Sequence, residues 1–266
     1  MELDIFQVDA FTEKLFGGNP AAIIPLERWL PDELLQQIAA ENNLSETAYI
    51  VASENGETDY HLRWFTPASE VDLCGHATLA TGHVLFHELN RNRDRFRFIT
   101  KSGVVEVGRN EDGLVLDFPS RPGKPVPMRE EFVKAVGGRP VEARISRDLM
   151  LIYETPGEIY DLKPDFSTMA TLEEFAVIVT APAGRSGLDF ISRFFAPREG
   201  IPEDPVTGSA HSTLIPYWAE RLAKNRLDAE QVSARTGRLY CRYLPETQRV
   251  NIAGRAVTYL RGKITI

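Results

Sequence analysis

RWFTPASEVDLCGHATLATGHVLF, residues 63–86, returns in altered form as RFFAPREGIPEDPVTGSAHSTLIPYW, residues 193–218. The offset between the copies is 130 residues at Arg63 and 133 residues at Gly75, so the second copy contains three additional residues. Each copy places a turn of small residues where a helix is expected to begin. The sequence therefore predicts two related halves, with a cleft between them that receives one such turn from each half.

The likeness extends beyond these segments. Upstream, LSETAYIVA at 44–52 matches LEEFAVIVT at 172–180, and downstream KSG at 101–103 matches RTG at 235–237. A chain of 266 residues suits two domains of about 130 residues each. The Pro- and Gly-rich stretch at 120–127 predicts the join, which gives domains 1–120 and 121–266; the last strand is left free to cross back to the first.

The composition is that of an ordinary globular protein, with 43% hydrophobic and 26% charged residues. A net charge of −8 with scattered basic residues argues against nucleic acid or an anionic membrane as a partner. No signal peptide is evident at the N-terminus, and no apolar run reaches the roughly 18 residues that span a bilayer. Two cysteines are too few for a disulfide framework, so the expected location is the cytoplasm.

Each half reads as short strands with one principal helix. The principal helices are predicted to run from Gly75 to about Leu89 and from Gly208 to about Ala223, and their first turns are small and apolar. A further helix is predicted from Pro31 to about Asn42. The fold class is therefore α+β, in which each half is a curved, barrel-like mixed sheet around a central helix.

The starts of the two principal helices are the predicted chemical centre. Unpaired amide groups and the helix dipole make a helix N-terminus favourable for anions. Gly75 and His76 occupy one start, and Gly208 and Ser209 occupy the other. The alternative is that these residues only begin helices, but their pairing by the repeat favours the functional interpretation. His211 lies close enough to the second start to contact a ligand.

Three titratable residues surround these turns: Glu46, His76 and Asp204. Glu46 begins an apolar strand, where partial removal from water would suit a general base. The alternatives are a solvated carboxylate at a strand edge for Glu46 and a turn cap for Asp204.

The histidines do not predict a metal site. His76 and His83 would lie about 10 Å apart along a helix that rises about 1.5 Å per residue, and only His83 and His87 could share an ion. No nearby cysteine or carboxylate obviously completes a site there.

Four motifs together resemble the phenazine-biosynthesis isomerase (PhzF-like) family: LSET at 44–47, CGHAT at 74–78, EDPVTGSA at 203–210, and DAFT with GGNPAA near the start. The resemblance covers nearly the whole chain. It implies the two-domain fold of diaminopimelate epimerase and isomerisation of a small molecule by proton transfer between carbons, without a cofactor. It also suggests a homodimer.

The resemblance also implies roles for particular residues. Glu46 would be the acid/base, while Gly75, His76, Asp204 and Ser209 would contact the substrate and steer protons, and Asn19 would line the site. At the second turn the phenazine-pathway enzymes have the pattern EDAATGSA, whereas this chain has EDPVTGSAH. In this motif the chain resembles the branch of the family whose substrates are mostly unassigned, so the resemblance leaves the substrate open.

Two rival functions remain open. A two-thiol racemase on this fold would need a cysteine at each turn, but Thr207 stands where the second is required, opposite Cys74. A variant that uses Cys74 alone stays possible on the sequence, although Cys74 and Cys241 are also typical small buried residues. The other rival is a non-catalytic protein that binds a small molecule on the same scaffold.

Overall fold

The computed structural model describes residues 1–54, 56–90 and 92–266. It contains two compact units: unit 1 comprises residues 1–117 and 253–266, and unit 2 comprises residues 118–252. The last strand of the chain therefore lies in unit 1. The predicted division at residue 120 had left open whether this strand crosses back to the first half.

Unit 1 alternates strands with two helices and ends on the last strand of the chain. Its elements are β1 (Glu2–Ala10), β2 (Asn19–Leu26), α1 (Asp32–Asn42), β3 (Glu46–Ala52), β4 (Tyr60–Phe65), β5 (Glu70–Val71), α2 (Gly75–Val84), β6 (Arg95–Thr100), β7 (Gly103–Asn110), β8 (Gly113–Pro119) and β18 (Ala256–Thr265). A π-helical turn at Leu85–Leu89 continues α2.

The strands of unit 1 form a mixed sheet around α2. Strand β1 pairs antiparallel with both β18 and β2, and β2 pairs parallel with β3. The sheet continues through β4, which pairs antiparallel with β3 and parallel with β6, to β7 and β8. Every residue of α2 from His76 to Val84 is buried, and the helix contacts β1, β2, β3, β7 and β18. Helix α1 instead buries Leu35 and Ile38 in a separate cluster with Tyr49.

Unit 2 has the same kind of architecture with more short helices. Its elements are β9 (Lys124–Val126), α3 (Glu130–Val136), β10 (Glu142–Ile145), β11 (Leu149–Ile152), α4 (Pro156–Asp161), α5 (Phe166–Met169), β12 (Val177–Pro182), β13 (Phe190–Ala196), β14 (Ile201–Asp204), α6 (Gly208–Leu222), β15 (Arg226–Gln231), β16 (Gly237–Leu244) and β17 (Arg249–Gly254).

The sheet of unit 2 is also mixed, with parallel pairs β11–β12 and β13–β15 beside antiparallel neighbours. Helix α6 is buried from Ala210 to Ala219. Trp218 stacks on Phe190 with ring centres 5.6 Å apart, and its indole N–H donates to the hydroxyl of Thr180 over 3.0 Å. The predicted α+β class, with a curved mixed sheet and one central helix in each half, is confirmed.

An arginine of the repeat anchors the chain just before each central helix. In unit 1, Nε and Nη2 of Arg63 donate to the two carboxylate oxygens of Glu70 over 2.7 and 2.9 Å. In unit 2, Arg193 makes the same two-pronged contact with Glu203 over 2.8 and 2.9 Å. Each guanidinium also lies about 5 Å above the phenylalanine two residues later in its own strand.

These paired contacts explain the offset of the repeat. The arginine and its glutamate are seven residues apart in unit 1 and ten apart in unit 2, which accounts for the three additional residues. A 3-10 turn, Pro197–Glu199, lies within this longer connection. The Arg63 guanidinium holds the pKa of the Glu70 carboxyl below its usual value, although burial acts in the opposite direction.

Among the described residues, no helix is long and apolar enough to cross a membrane.

Gly82 lets the sheet of unit 1 close against α2, and this contact gives a stability prediction. A Cβ at Gly82 would lie 2.8 Å from both methyl groups of Val107, and a β-branched valine has little rotamer freedom to move away. We expect Gly82→Ala to lower the free energy of unfolding by about 1–3 kcal/mol, despite the better helix propensity of alanine.

Urea unfolding of Gly82→Ala, Val107→Ala and the double variant measures this effect. The double variant should recover part of the loss, because the shorter residue 107 makes room for the new methyl group. Additive losses would show that the contact with Val107 is not the cause.

Candidate functional site

The centre of the site in unit 1 is a contact between Glu46 and His76. Glu46 is the first residue of β3 and His76 is the second residue of α2, so the sheet and its central helix each supply one side chain. Nε2 of His76 lies 2.8 Å from Oε2 of Glu46. The two atoms lie within ion-pair distance but are not aligned as a hydrogen bond, and neither has a hydrogen-bond partner in the part of the chain that the structure describes.

Both side chains are almost withdrawn from water. The side chain of His76 is 5% exposed and that of Glu46 is 10% exposed. Oε2 of Glu46 is fully buried, so the remaining exposure belongs to the rest of that side chain. A buried carboxylate that meets one imidazole and keeps a small exposed part is suited to take a proton from a bound molecule.

The other nitrogen of His76 contacts two further groups. Nδ2 of Asn19 lies 3.1 Å from Nδ1 of His76, and Sγ of Cys74 lies 3.5 Å from the same nitrogen. The hydroxyl of Ser45 donates to Oδ1 of Asn19 over 2.9 Å. Asn19 is completely buried. The family resemblance implied that Asn19 lines the substrate site, and in the structure its amide contacts His76.

Burial and neighbouring charge act in opposite directions on the pKa of His76. Burial disfavours its charged form, whereas negative charge at Cys74 and at Glu46 raises its pKa, and the net direction is upward. The contribution of Cys74 requires a thiolate. Burial raises the pKa of that thiol to about 11, so with the thiol in its neutral form Glu46 is the remaining group that raises the pKa of His76.

The N-terminus of α2 lacks a side-chain cap. Cys74 is the N-cap residue, and its side chain makes no capping hydrogen bond. Gly75 is partly exposed while His76 is buried. The same pattern occurs at the start of α6 in unit 2, where the N-cap Thr207 makes no side-chain cap and Ser209 is partly exposed.

Asp204 in unit 2 belongs to a buried network of its own. It is the last residue of β14 and is 9% exposed, and the hydroxyl of Thr207 donates to its Oδ2. Gln231 is completely buried beside them: its Nε2 donates to the carbonyl of Asp204 over 2.7 Å and its Oε1 accepts from the amide of Thr207 over 2.9 Å. Gln231 thus fixes the turn that leads from Asp204 into α6.

His211 lies in the core of unit 2. It is completely buried, its Nδ1 donates to the carbonyl of Thr207 over 2.8 Å, and its ring lies 6.0 Å from that of Phe190. Burial lowers the pKa of His211 to about 4, although the hydrogen bond to Thr207 acts in the opposite direction. The predicted contact with substrate stays a prediction, and the observed contacts are those of a packed, neutral histidine.

Two sets of residues bear on metal binding. Among the described residues, Glu46, Cys74 and His76 bring their ligand atoms within 4.8 Å of one another. The ring of His76, however, turns Nε2 to Glu46 and Nδ1 to Cys74, so one ion could not use all three without rotation of the ring. His83 and His87 stack 4.4 Å apart, but Nε2 of His83 is occupied by Thr258 and Nδ1 of His87 by a carbonyl.

The sequence indicated Glu46, His76 and Asn19 as separate candidates, and the structure places these three side chains in one cluster. Ser45, which lies inside the LSET motif, and Gln231 were missed. The place of Ser45 beside Glu46 was a usable signal, whereas nothing at the end of β15 marks Gln231 as a polar core residue.

Comparison with known proteins gives a consistent family. The model of the phenazine biosynthesis-like protein family, PhzC-PhzF, matches residues 8–262. The chain is 49% identical over 264 residues to a protein of Pseudomonas aeruginosa named as an uncharacterized isomerase, with 99% of each chain covered. A PhzF-family crystal structure from Enterococcus faecalis shares 43% identity over the full length of both chains, with a TM-score of 0.95. A predicted epimerase of P. aeruginosa, at 18% identity, shares the fold with a TM-score of 0.74 over 99% of each chain.

The buried histidines predict a loss of stability in mild acid. Burial lowers the pKa of both His211 and His83 from 6.5 to about 4, so the unfolded chain takes up these protons first as the pH falls. Their contribution to stability is complete above pH 6.5 and is lost between pH 6.5 and about 4. Each histidine should contribute a slope of up to about 1.4 kcal/mol per pH unit.

Urea unfolding at a series of pH values from 7.5 to 4.5 measures the slope. His211→Gln and His83→Gln should each reduce it, independently of any loss of stability at pH 7.5. A slope identical to that of the natural chain in both variants would contradict the assignment.

Proposed function

The chain belongs to the phenazine biosynthesis-like family, and we propose that it is an isomerase that moves a proton between two carbons of a small carboxylated or unsaturated metabolite. Glu46 is the general acid/base in this proposal. The observation that carries it is the buried contact between Glu46 and His76, which supplies a single carboxylate, oriented by one imidazole, at the start of the central helix of unit 1.

The reaction is balanced within one substrate molecule. The Glu46 carboxylate takes a proton from an activated carbon, and the electron pair left behind is delocalised into the adjacent carboxyl or unsaturated group. The protonated Glu46 then delivers a proton to another carbon of the same system. The substrate changes the position of a hydrogen and of a double bond, and Glu46 returns to its starting state.

The proposed roles of the other site residues have a different basis from that of Glu46. His76 orients Oε2 of Glu46, and the amides at Gly75 and His76 supply hydrogen-bond donors at the start of a helix for the charge that develops. Roles for Asp204, Gly208 and Ser209 as substrate contacts rest on the repeat and on the family resemblance. The proposal that no cofactor takes part has the same basis.

The test is deuterium incorporation at carbon, followed by mass spectrometry in heavy water, with a panel of small cyclic and acyclic unsaturated carboxylic and amino acids. We expect the natural chain to label at least one compound and Glu46→Gln to lose about 100-fold or more of that rate. Glutamine keeps the shape of the side chain and can still accept from His76, so thermal unfolding should change little.

Glu174→Gln is the matched control. Glu174 lies in the upstream segment of the second copy that matches the segment of Glu46, and its carboxylate is also buried, with 8% of the side chain exposed. Its removal should leave the exchange intact. Full exchange in Glu46→Gln would rule out Glu46 as the base, and ligands that raise the melting temperature without any exchange would favour the binding-protein function.

Cys74→Ala separates the proposal from a racemase that uses this one thiol. The thiol is neutral at pH 7 and contacts His76 rather than an open surface, so we expect less than about a tenfold change in the exchange rate. A loss as large as that of Glu46→Gln would make Cys74 the second acid/base and would favour the racemase. Cys241→Ala, in a buried strand of unit 2, controls for the removal of a buried thiol.

A further inference from the structure

A second cavity lies in unit 1 at the far end of the central helix. It has a volume of about 280 Å³, and His83 of α2 and His87 of the π-helical turn that follows form part of its wall. His76 and His83 are seven residues apart, which corresponds to about 10 Å along a helix axis, so this cavity is separate from the contact between Glu46 and His76. Its volume is close to the lower end of the range of ligand sites, about 300 Å³, and gives room for a small organic molecule.

The described residues that line this cavity include two arginines and no acidic residue. Arg109 comes from the end of β7, and Arg255 comes from the connection between β17 and β18. Beside the two histidines, the rest of the lining is uncharged: Asn110, Gly113, Leu114 and Ala256. The wall therefore carries two fixed positive charges, together with apolar side chains for the carbon part of a ligand.

Each of these arginines has one acidic partner, which lies outside the lining. Arg109 donates through Nε and Nη2 to one oxygen of Asp94 over 3.2 and 2.9 Å, and Arg255 donates through Nη1 to Glu13 over 2.5 Å. The side chains of Asp94 and Glu13 are 87% and 62% exposed, so water screens both ion pairs. Among the described residues, Nη1 of Arg109 and both Nε and Nη2 of Arg255 have no hydrogen-bond partner. The oxygens of an anionic ligand would satisfy these donors.

Packing within unit 1 orients both arginines. The guanidinium of Arg109 lies 5.4 Å from the ring centre of the buried Phe86. Gly113 has a φ of +120°, and a Cβ there would lie 2.5 Å from the carbonyl oxygen of Gly254 and 3.2 Å from Cγ of Arg255. Only glycine therefore lets the turn between β7 and β8 approach Arg255 so closely. Cations that are oriented before a ligand arrives lower the entropic cost of binding it.

The wall also contains an unsatisfied polar atom of a buried side chain. His83 is 9% exposed and its Nε2 lies 3.0 Å from the hydroxyl of Thr258, whereas its Nδ1 has no hydrogen-bond partner among the described residues. The hydroxyl of Thr258 can donate or accept, so Nδ1 can offer a ligand either a donor or an acceptor. The cavity borders the π-helical turn Leu85–Leu89 through His87, and turns of this kind are frequent at functional sites.

We propose that this cavity is a second binding site, for a small organic molecule with carboxylate or phosphate groups, in which Arg109 and Arg255 pair with the anionic oxygens. Leu114 and Ala256 contact the carbon part of the ligand. The inference goes beyond the proposed isomerase function and does not depend on it, because none of these residues belongs to the site around Glu46.

The experiment is isothermal titration calorimetry of the full chain at low ionic strength with succinate, with inorganic phosphate and with the neutral compound succinamide. We expect saturable binding of succinate or phosphate with a Kd of about 1 mM or below, and no binding of succinamide. The anion that binds more tightly identifies the carboxylate or the phosphate as the recognised group. Binding of neither anion, or equal binding of succinamide, would overturn the proposal.

Arg109→Gln and Arg255→Gln should each raise the Kd of the bound anion by about tenfold or more, because each removes charge-assisted hydrogen bonds. Arg185→Gln is the matched control. Arg185 lies in unit 2, its side chain is 54% exposed compared with 52% for Arg255, and it too has one glutamate partner, Glu230. The control should leave the Kd unchanged, and an equal loss in all three variants would show that only the overall charge matters.

Glu13→Gln provides a variant that should gain affinity. Without its carboxylate, residue 13 no longer competes with the anion for the guanidinium of Arg255, so the Kd should fall. Damage to the fold would not produce such a gain. An unchanged or higher Kd in Glu13→Gln would contradict a direct contact between Arg255 and the ligand. Calorimetry needs no turnover, so a failure of this proposal and a failure of the isomerase proposal are distinguishable.

Discussion

The two-pronged contact between an arginine and a glutamate is the constraint on which the rest of each unit depends. It joins the strand that precedes the central helix to the short strand that leads into that helix, so the start of the helix has one position relative to the sheet. The planar guanidinium matches a carboxylate through two parallel hydrogen bonds and also lies over a phenylalanine of its own strand, which a lysine could not reproduce. The small residues at the helix start can then present backbone amides and short side chains with little freedom to move.

Much of this architecture was predictable because local patterns and tertiary packing agree. Helix α1 follows from an apolar stripe and the principal helices from a helical pattern with small, apolar first turns, and the repeat predicted that both halves would share one scheme. The sequence did not predict the short helices α4 and α5, since six and four residues are too few to show a helical period. For α4 a signal existed in the capping box of Thr155 and Glu158. The π-helical turn after α2 could not be predicted, because its hydrogen bonds depend on how the chain is packed there rather than on residue type.

The candidate site was predicted as separate residues but not as an arrangement. Glu46 and His76 are 30 residues apart, and only the register of β3 beside the buried α2 brings a carboxylate to an imidazole. Asn19 illustrates the limit well. The family resemblance implied that Asn19 lines the site, and the structure shows its amide against His76 with none of the side chain exposed. The sequence indicates which side chains can do chemistry, whereas the packing of the strands and the helix determines which of them contact one another.

The pairing of β1 with β18 affects how the protein is made. These strands run side by side from Glu2 opposite Thr265 to Ala10 opposite Ala256, and the amide of Ile266 donates to the carbonyl of Met1 over 2.8 Å. Unit 2 is one uninterrupted segment that lies in the chain between the two parts of unit 1. The edge of β1 that β18 covers therefore stays without its partner strand until unit 2 has been translated. The sheet that positions Glu46 is thus completed by a strand that is made after the whole of the other unit, and a fault in the synthesis of unit 2 would leave unit 1 with an unpaired edge.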